Sequence, residues 1–370
     1  MGRQKSNKKE PGLGSILRED LSRGDLKRSW KRDFKELKNF FLDTHRQEQL
    51  EKMPRLKRWF FQTIWLLKML FLRLNPSRRI ILLFSLYLIL ISGNAVYQND
   101  NTEFRFNFVI LGALLLLFIL MLELKDKLLA REELEAGRAI QQALLPQENP
   151  EIPGWSIWLF NRPARLVGGD LLDFLKINEE KLAIAIGDVA DKGLSAALLM
   201  AKLQSTLRAF ASENHTPGTL TEKINRLFYR EKIQKSFASF LYLQFSPNSG
   251  KITLTNAGHL PPIHIKNNDF AELPKGHPAL GILPDTQYED LQITLNIDEI
   301  LFIYSDGLTE ARNEQGEFFG EERLFDLLHQ IKGLSSPQIG QYILKTLDSF
   351  IQDSSMMRDD LSLVILKRTA

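Results

Sequence analysis

Apolar positions change their spacing several times along the 370-residue chain, and each change marks a different kind of element. The first fifty residues are polar, charged and weakly patterned, a composition that predicts little order of its own. Residues 56–74 are apolar and aromatic, with Lys57, Arg58, Lys68 and Arg73 interspersed. That mixture fits a helix lying on anionic headgroups, or one packed on neighbouring helices or on a partner. Two uncharged runs follow, 80–97 and 106–122, separated by a short polar stretch, 98–105. Each approaches the roughly 17–25 apolar residues that cross a hydrocarbon core as a helix. A single such run suits a soluble core helix equally well. Two in tandem predict a transmembrane hairpin over 80–122, and their position, with no cleavage-type flank, argues against a signal peptide.

After the second run the pattern becomes charged, with Leu122, Leu129, Ala136 and Ala143 recurring every seven residues and Ile140 beside them. This predicts a linker helix within 123–150 that continues from the membrane, ends at Pro146, and pairs with a second copy of the chain. Gly137 weakens the repeat, and a solvated single helix is the alternative reading.

Beyond Pro150 short apolar or β-branched runs alternate with amphipathic ones. Strands are expected over 155–163, 171–177, 182–189, 237–245, 251–256, 288–295, 300–304 and 361–367. Helices are expected over 195–212, 219–232, 320–331 and 337–352. Strands clustered around central helices predict an α+β domain of packed sheets with helices outside, spanning 151–370.

Charge sharpens this division. Residues 1–79 hold 21 Lys and Arg against 9 Asp and Glu, a balance of +12, so the remainder carries −9 of the whole chain's +3. A basic arm suits nucleic acid or anionic lipid; beside two spans, lipid is the more economical partner. Arg73, Arg78 and Arg79 precede the first run and Lys125, Lys127 and Arg131 follow the second, which predicts an inner-membrane protein with both ends cytoplasmic. The chain has no cysteine, so disulfides, thiolate zinc sites and cysteine-nucleophile chemistry are excluded.

Four short stretches set aspartates where strands meet turns: Val167-Gly168-Gly169-Asp170, Gly187-Asp188-Val189, Ser305-Asp306-Gly307 and Arg358-Asp359-Asp360. Glycine beside three of them permits tight turns and close approach of backbone to a ligand. Carboxylates converging at strand ends repel one another unless a cation sits among them. Hard Mg²⁺ or Mn²⁺ ions take oxygen ligands, and a pair about 3.5–4 Å apart clamps a phosphoryl group and readies water for attack. Each stretch alone reads as a turn; the ordered set carries the argument.

With Ile140-Gln141-Gln142-Ala143-Leu144-Leu145-Pro146, Pro163-Ala164-Arg165, Asp188 through Gly193, Ala196 through Met200, Asn256-Ala257-Gly258-His259, Tyr304 through Ala311 and Asp359-Asp360-Leu361-Ser362, the set resembles the PPM metal-dependent serine/threonine phosphatases, in the bacterial branch named for RsbU and SpoIIE. The resemblance covers roughly residues 138–368. It implies a β-sandwich flanked by α-helices, with two divalent cations, Mn²⁺ or Mg²⁺, at one edge. It implies that Asp188 bridges both ions with help from the Val189 carbonyl, that Asp306 and Asp359 complete the shell with Asp360 as the alternative to Asp359, and that Asp170 binds directly or through water. It implies a phosphorylated protein substrate of the anti-anti-sigma, STAS-like kind in a partner switch. It also implies that the helix at Ile140–Leu145 couples an input to catalysis. Leu171-Leu172 stand where the family commonly has aromatic residues.

His259 is weighed as a general acid toward the leaving serine oxygen against a structural tie in its turn. Arg165 is weighed as a phosphate-steering fork against a surface ion pair. Two other functions compete: a catalytically inactive membrane scaffold of the same fold that binds a regulator, and a membrane nucleotidyl cyclase. The cyclase reading is disfavoured because Leu171-Leu172 follow Asp170 and because it leaves Asp306 and Asp359 unused.

Overall fold

The first apolar run ends its helix earlier than its composition predicts. In the computed structural model, which describes residues 53–91, 94–99, 102–146, 148–213, 215–231, 236–266, 269–352, 357 and 359–370, the chain divides into a unit ending at Lys127 and a unit from Leu128 onward. The weakly patterned first fifty residues lie outside the described ones.

In the first unit α1 (Arg55–Arg73) stops before Asn75-Pro76, since a residue preceding proline is pushed out of the helical region and proline suits a first helical position. The next helix, α2, covers Pro76–Ile91, and 94–97, expected to continue the first span, instead belong to strand β1 (Asn94–Asn99). It pairs antiparallel with β2 (Thr102–Asn107), Tyr97 opposite Phe104 and Ala95 opposite Phe106. Val96, Tyr97, Phe104 and Phe106 are strand-favouring, and Phe104 and Phe106 alternate with polar neighbours, so the local pattern overrides the run of apolar composition. Helix α3 then runs as one piece over Phe108–Leu144, with the Asn107 side chain accepting from the Val109 and Ile110 amides at 2.9 and 3.2 Å as its cap. The second apolar run and the linker helix are therefore one element.

Helices α2 and α3 meet closely at Gly112, where an added Cβ would lie 2.7 Å from both the Ser85 carbonyl oxygen and Ile89 Cγ1. Arg78 closes the same pair of helices with ion pairs to Glu123 at 2.5 Å and Asp126 at 2.6 Å. Most other large apolar side chains here face outward, among them Ile80, Leu90 and Leu120. Among the described residues one helix, α3, is long and apolar enough to cross a membrane by length and composition. The 16 residues of α2 reach about 24 Å at 1.5 Å per residue.

The second unit is a four-layer sandwich. One sheet has the order β10-β7-β6-β5-β4 and the other β3-β12-β11-β8-β9, with every pairing between these strands antiparallel. The strands are β3 (Trp155–Arg162), β4 (Asp170–Lys176), β5 (Leu182–Val189), β6 (Ala238–Phe245), β7 (Lys251–Ala257), β8 (Ile263–Lys266), β9 (Asp269–Glu272), β10 (Leu291–Thr294), β11 (Ile300–Tyr304) and β12 (Leu361–Arg368). Between the sheets lie Ile184, Ile186, Leu241, Leu243, Leu301, Ile303, Val364 and Leu366. Outside the first sheet α4 (Leu194–Ala211) and α5 (Pro217–Glu231) cover Ala183, Ala185, Phe240 and Tyr242. Outside the second, α6 (Gly320–Leu328) and α7 (Ser336–Ile351) cover Phe302, Leu363 and Ile365.

Because both faces of each central strand are buried, β5, β11 and β12 read as nearly unbroken apolar runs. Each fully buried Leu or Ile contributes about 1.5–3 kcal/mol relative to exposure. The expected strands and helices all find counterparts, with the 288–295 strand shortened to β10. Four-residue β8 and β9 carry too little pattern to be expected in advance.

Candidate active site

Register places the first two acids side by side. Asp170 opens β4 and Asp188 is the penultimate residue of β5, and the two face each other across the ladder, with Ser239 of β6 opposite Asp188 on its other side. Asp306 follows the end of β11 after one intervening residue, Ser305, and Asp359-Asp360 directly precede β12. The two sheets are tied together at this end by Ser362, whose hydroxyl donates to Asp170 Oδ2 at 2.6 Å while accepting from the Asn161 amide at 2.9 Å. Ser305 adds a second tie within its sheet, its hydroxyl accepting from the Ser362 amide at 2.8 Å and donating to the Asp360 carbonyl at 3.1 Å.

Glycine keeps the seam open. A Cβ on Gly169 would lie 3.1 Å from Asp188 Oδ1 and 3.2 Å from the Val189 carbonyl oxygen, so the bare backbone leaves a small cradle beside these two oxygens. One on Gly168 would meet the Asp360 carboxylate at 2.5 Å, and one on Gly307 would strike the Asp360 carbonyl. The Val167-Gly168-Gly169-Asp170 and Ser305-Asp306-Gly307 motifs thus need glycine for close packing against the strand-initiating Asp-Asp pair.

The two members of that pair do different things. Asp360 is buried, and its carboxylate accepts from the Ala164 amide at 2.7 Å and the Gly169 amide at 2.5 Å. It braces the glycine loop. Asp359 is a third exposed and takes an ion pair from Lys192 at 2.8 Å. Burial, then the charges of Asp306, Asp359 and Asp360, push the Asp188 carboxyl up to about 7. Burial and Asp359 push Asp306 up to about 6. Asp170, fully enclosed, is raised by burial and by Asp188, against the Ser362 hydrogen bond. Mutual repulsion among buried acids is what a bound cation relieves.

Among the described residues no group of three or more acidic or histidine side chains is already drawn together as a closed cage for one ion; the acids meet as neighbours along one seam. Asp188, Asp359 and Asp360 line a narrow cleft with Arg165 and Lys192. Asp188 and Asp306 also line a cavity of about 450 Å³ with Ser239 and His259. The donor set suits a hard divalent cation: carboxylate and carbonyl oxygens, no thiol, and a cradle shaped by a missing Cβ.

His259 is buried, and burial holds its imidazole down to about 4, so the ring is neutral near pH 7. Its Nδ1 lies 3.2 Å from the Ser239 hydroxyl, which accepts from the Asp188 amide at 3.0 Å, and its backbone is fastened to the Asn256 side chain in both directions. The geometry is that of a tie behind Asp188. Arg165 carries no ion pair among the described residues and lines the cleft instead.

Several residues received no individual role from sequence, although Gln141, Lys192 and Ser362 lie within the motifs that carry the resemblance. Lys192 lies four positions after Asp188, where only the fold brings it to Asp359. Ser362 and Ser239 are small polar residues in apolar strands, a faint signal for a buried hydrogen bond. Gln141 of α3 grips the glycine loop through both amide atoms, donating to the Gly168 carbonyl at 2.7 Å and accepting from its amide at 3.0 Å. The Leu144 carbonyl at the end of α3 is held by Gln204 and Arg208 of α4 at 2.7 and 3.2 Å.

Comparison with known proteins bears on the fold and the family. Protein IcfG of Synechocystis sp. is 30% identical over 275 residues, covering 66% of this chain and 43% of that protein. Phosphoserine phosphatase RsbU of Bacillus subtilis is 28% identical over 240 residues, covering 64% of this chain and 70% of that protein. The chain thus spans less than half of the first relative and about two thirds of the second. Among solved structures, the SiaA-PP2C domain of Pseudomonas aeruginosa superimposes with a TM-score of 0.58 at 18% identity, over 66% of this chain and 99% of that domain. The α+β sandwich is therefore the PP2C phosphatase fold. Residues 178–369, just over half of the chain, match the family described as Stage II sporulation protein E (SpoIIE), and the chain belongs to that family.

Proposed function

We propose that the protein is a metal-dependent serine/threonine phosphatase that hydrolyses a phosphoserine or phosphothreonine monoester on a regulatory protein, within sigma-factor control. The observation that carries this reading is the seam where Asp188, Asp306 and Asp359 converge from three strand ends beside the Gly169 cradle. Relatives named as phosphoserine phosphatases in Bacillus subtilis support the reaction class.

In this proposal Asp188, Asp306, Asp359 and the Val189 carbonyl hold two divalent cations, Mn²⁺ or Mg²⁺, and Asp170 supports them from behind, held by Ser362. When bound, the cations supply an activated water and neutralise charge on the phosphoryl group. Asp360 positions the glycine loop through two amides and is not itself a ligand in this reading. Lys192 orients Asp359, and Arg165 is free to receive phosphate oxygens through its planar fork. Neutral His259 positions Asp188 through Ser239 and does not protonate the leaving group.

The substrate is proposed to be STAS-like, in a partner switch. Helices α2 and α3 are proposed to enter the cytoplasmic membrane as a hairpin with both ends cytoplasmic, a reading supported by their outward apolar faces and by the flanking basic residues. Helix α1 lies on lipid headgroups. A second copy pairs along α3, which passes input to the site through Gln141. The test is hydrolysis of an aryl phosphate by the full chain in detergent. Turnover that needs added Mn²⁺ is expected; none at any Mn²⁺ concentration would leave the inactive-scaffold reading in its place.

A further inference from the structure

The cavity of about 450 Å³ above Asp188 and Asp306 is far larger than a phosphoryl group requires, and its wall has a chemistry of its own. Phe237, Leu260 and Pro261 give it an apolar side, with Phe237 43% exposed. Lys275 supplies a cation, and among the described residues no acidic side chain pairs with it. In a space whose other charged groups are the two aspartates, an unpaired ammonium is matched to an anionic group brought by the ligand.

A solvated surface lysine would ordinarily carry no such weight. Here the backbone under it is fixed. Gly276 is pressed onto the Asn256 carbonyl so closely that a Cβ would collide with it, and the His277 amide donates to that same carbonyl at 2.8 Å. Two residues on, Gly258 at positive φ abuts Ala279, where a Cβ would lie 2.7 Å from the alanine Cβ. Lys275 therefore stands on a ledge packed against the Asn256–His259 turn, the turn that also holds His259 behind Asp188. The ledge and the reaction seam share one rigid support.

We infer that Lys275 is a specificity-determining residue that reads an acidic side chain flanking the phosphorylated serine or threonine, while Phe237, Leu260 and Pro261 take an apolar neighbour. The inference rests on the phosphatase reading and adds the substrate class: a phosphoprotein segment with an acidic and an apolar residue beside the phosphoresidue.

The experiment uses the full chain in detergent with Mn²⁺ and a set of phosphoserine heptapeptides, alanine at every flank except one, where Glu or Lys is scanned. For the wild type, Glu at one flanking position raises kcat/KM over alanine by roughly twofold to fivefold, the range of a partly exposed charge contact. In Lys275→Met that preference falls to parity, and in Lys275→Glu it passes to the peptide bearing Lys at the same position. Thermal melts verify that both variants are folded. An unchanged preference in all three proteins overturns the inference, as does a wild type that turns over every peptide equally; in both cases the phosphatase reading stands. Failure of the wild type to hydrolyse any peptide or an aryl phosphate sinks that reading and this one with it.

Discussion

The two units of this chain use apolar residues in opposite ways. In the body from Leu128 onward, the large aliphatic side chains lie in three layers between sheets and helices, and Ile184, Leu241 and Leu243 have no exposed surface. In the unit ending at Lys127, buried side chains are few among the described residues, Ser85, Leu88 and Ile119 among them, and Leu90 is 83% exposed. The first arrangement is what water selects, since apolar area is removed from solvent by the fold itself. The second leaves the same kind of area facing outward along α2 and α3, a state suited to lipid, where polar backbone is satisfied within each helix and association depends on close contacts such as the one at Gly112. Chemistry belongs to the water-folded part. Its acids can be gathered only because ten strands hold their ends in register.

This contrast can be attacked at four points. The largest effect is expected from Asp188→Asn, which removes charge and keeps shape: turnover should fall about 10³-fold, or about 4 kcal/mol of barrier, while fractionation with membranes is unchanged. Wild-type turnover in that variant removes Asp188 from its assigned place. Leu243→Ala, between the sheets, should cost about 2–5 kcal/mol in the body's thermal or denaturant unfolding through the lost burial and the cavity left behind. A melting curve that superimposes on wild type would contradict the packing. Leu117→Arg, on an outward face of α3, should cost about 2.5–3.5 kcal/mol of insertion, read as a smaller carbonate-resistant membrane fraction. Retention at the wild-type level would argue that this face is covered by protein. The smallest effect is expected from Gly169→Ala, whose methyl group crowds Asp188 Oδ1 and the Val189 carbonyl. Mn²⁺ affinity measured by calorimetry should fall about tenfold, with the melting temperature nearly unchanged.

The difference between the units also separates what each kind of sequence pattern can reveal. In the body, β-branched and apolar runs broken by glycine and aspartate outlined every long strand, because both faces of each are buried and the composition has no freedom to vary. The four-residue β8 and β9 escaped notice because four residues make no period. In the first unit composition misled at one point. Residues 94–97 are uncharged and were expected to extend a spanning helix, yet they pair as β1 because Val96 and Tyr97 meet Arg105 and Phe104 across a hairpin. Hydropathy averages over a window; pairing depends on which residue lies opposite.

What the sequence by itself determined was the kind of chemistry and the class of fold. It offers oxygen ligands and no thiols, acids set beside glycines at the ends of strands, and apolar runs matched to two sheets covered by helices. Tertiary structure alone decided the division of labour among those residues. Asp359 meets Lys192 while its neighbour Asp360 is bound to the Ala164 and Gly169 amides, His259 stands behind Asp188 as a neutral tie, and Gln141 reaches Gly168. The physical reason is that a carboxylate's role depends on which donors and charges surround it. Those partners come from loops as much as 196 positions away in the chain, where no local spacing records them.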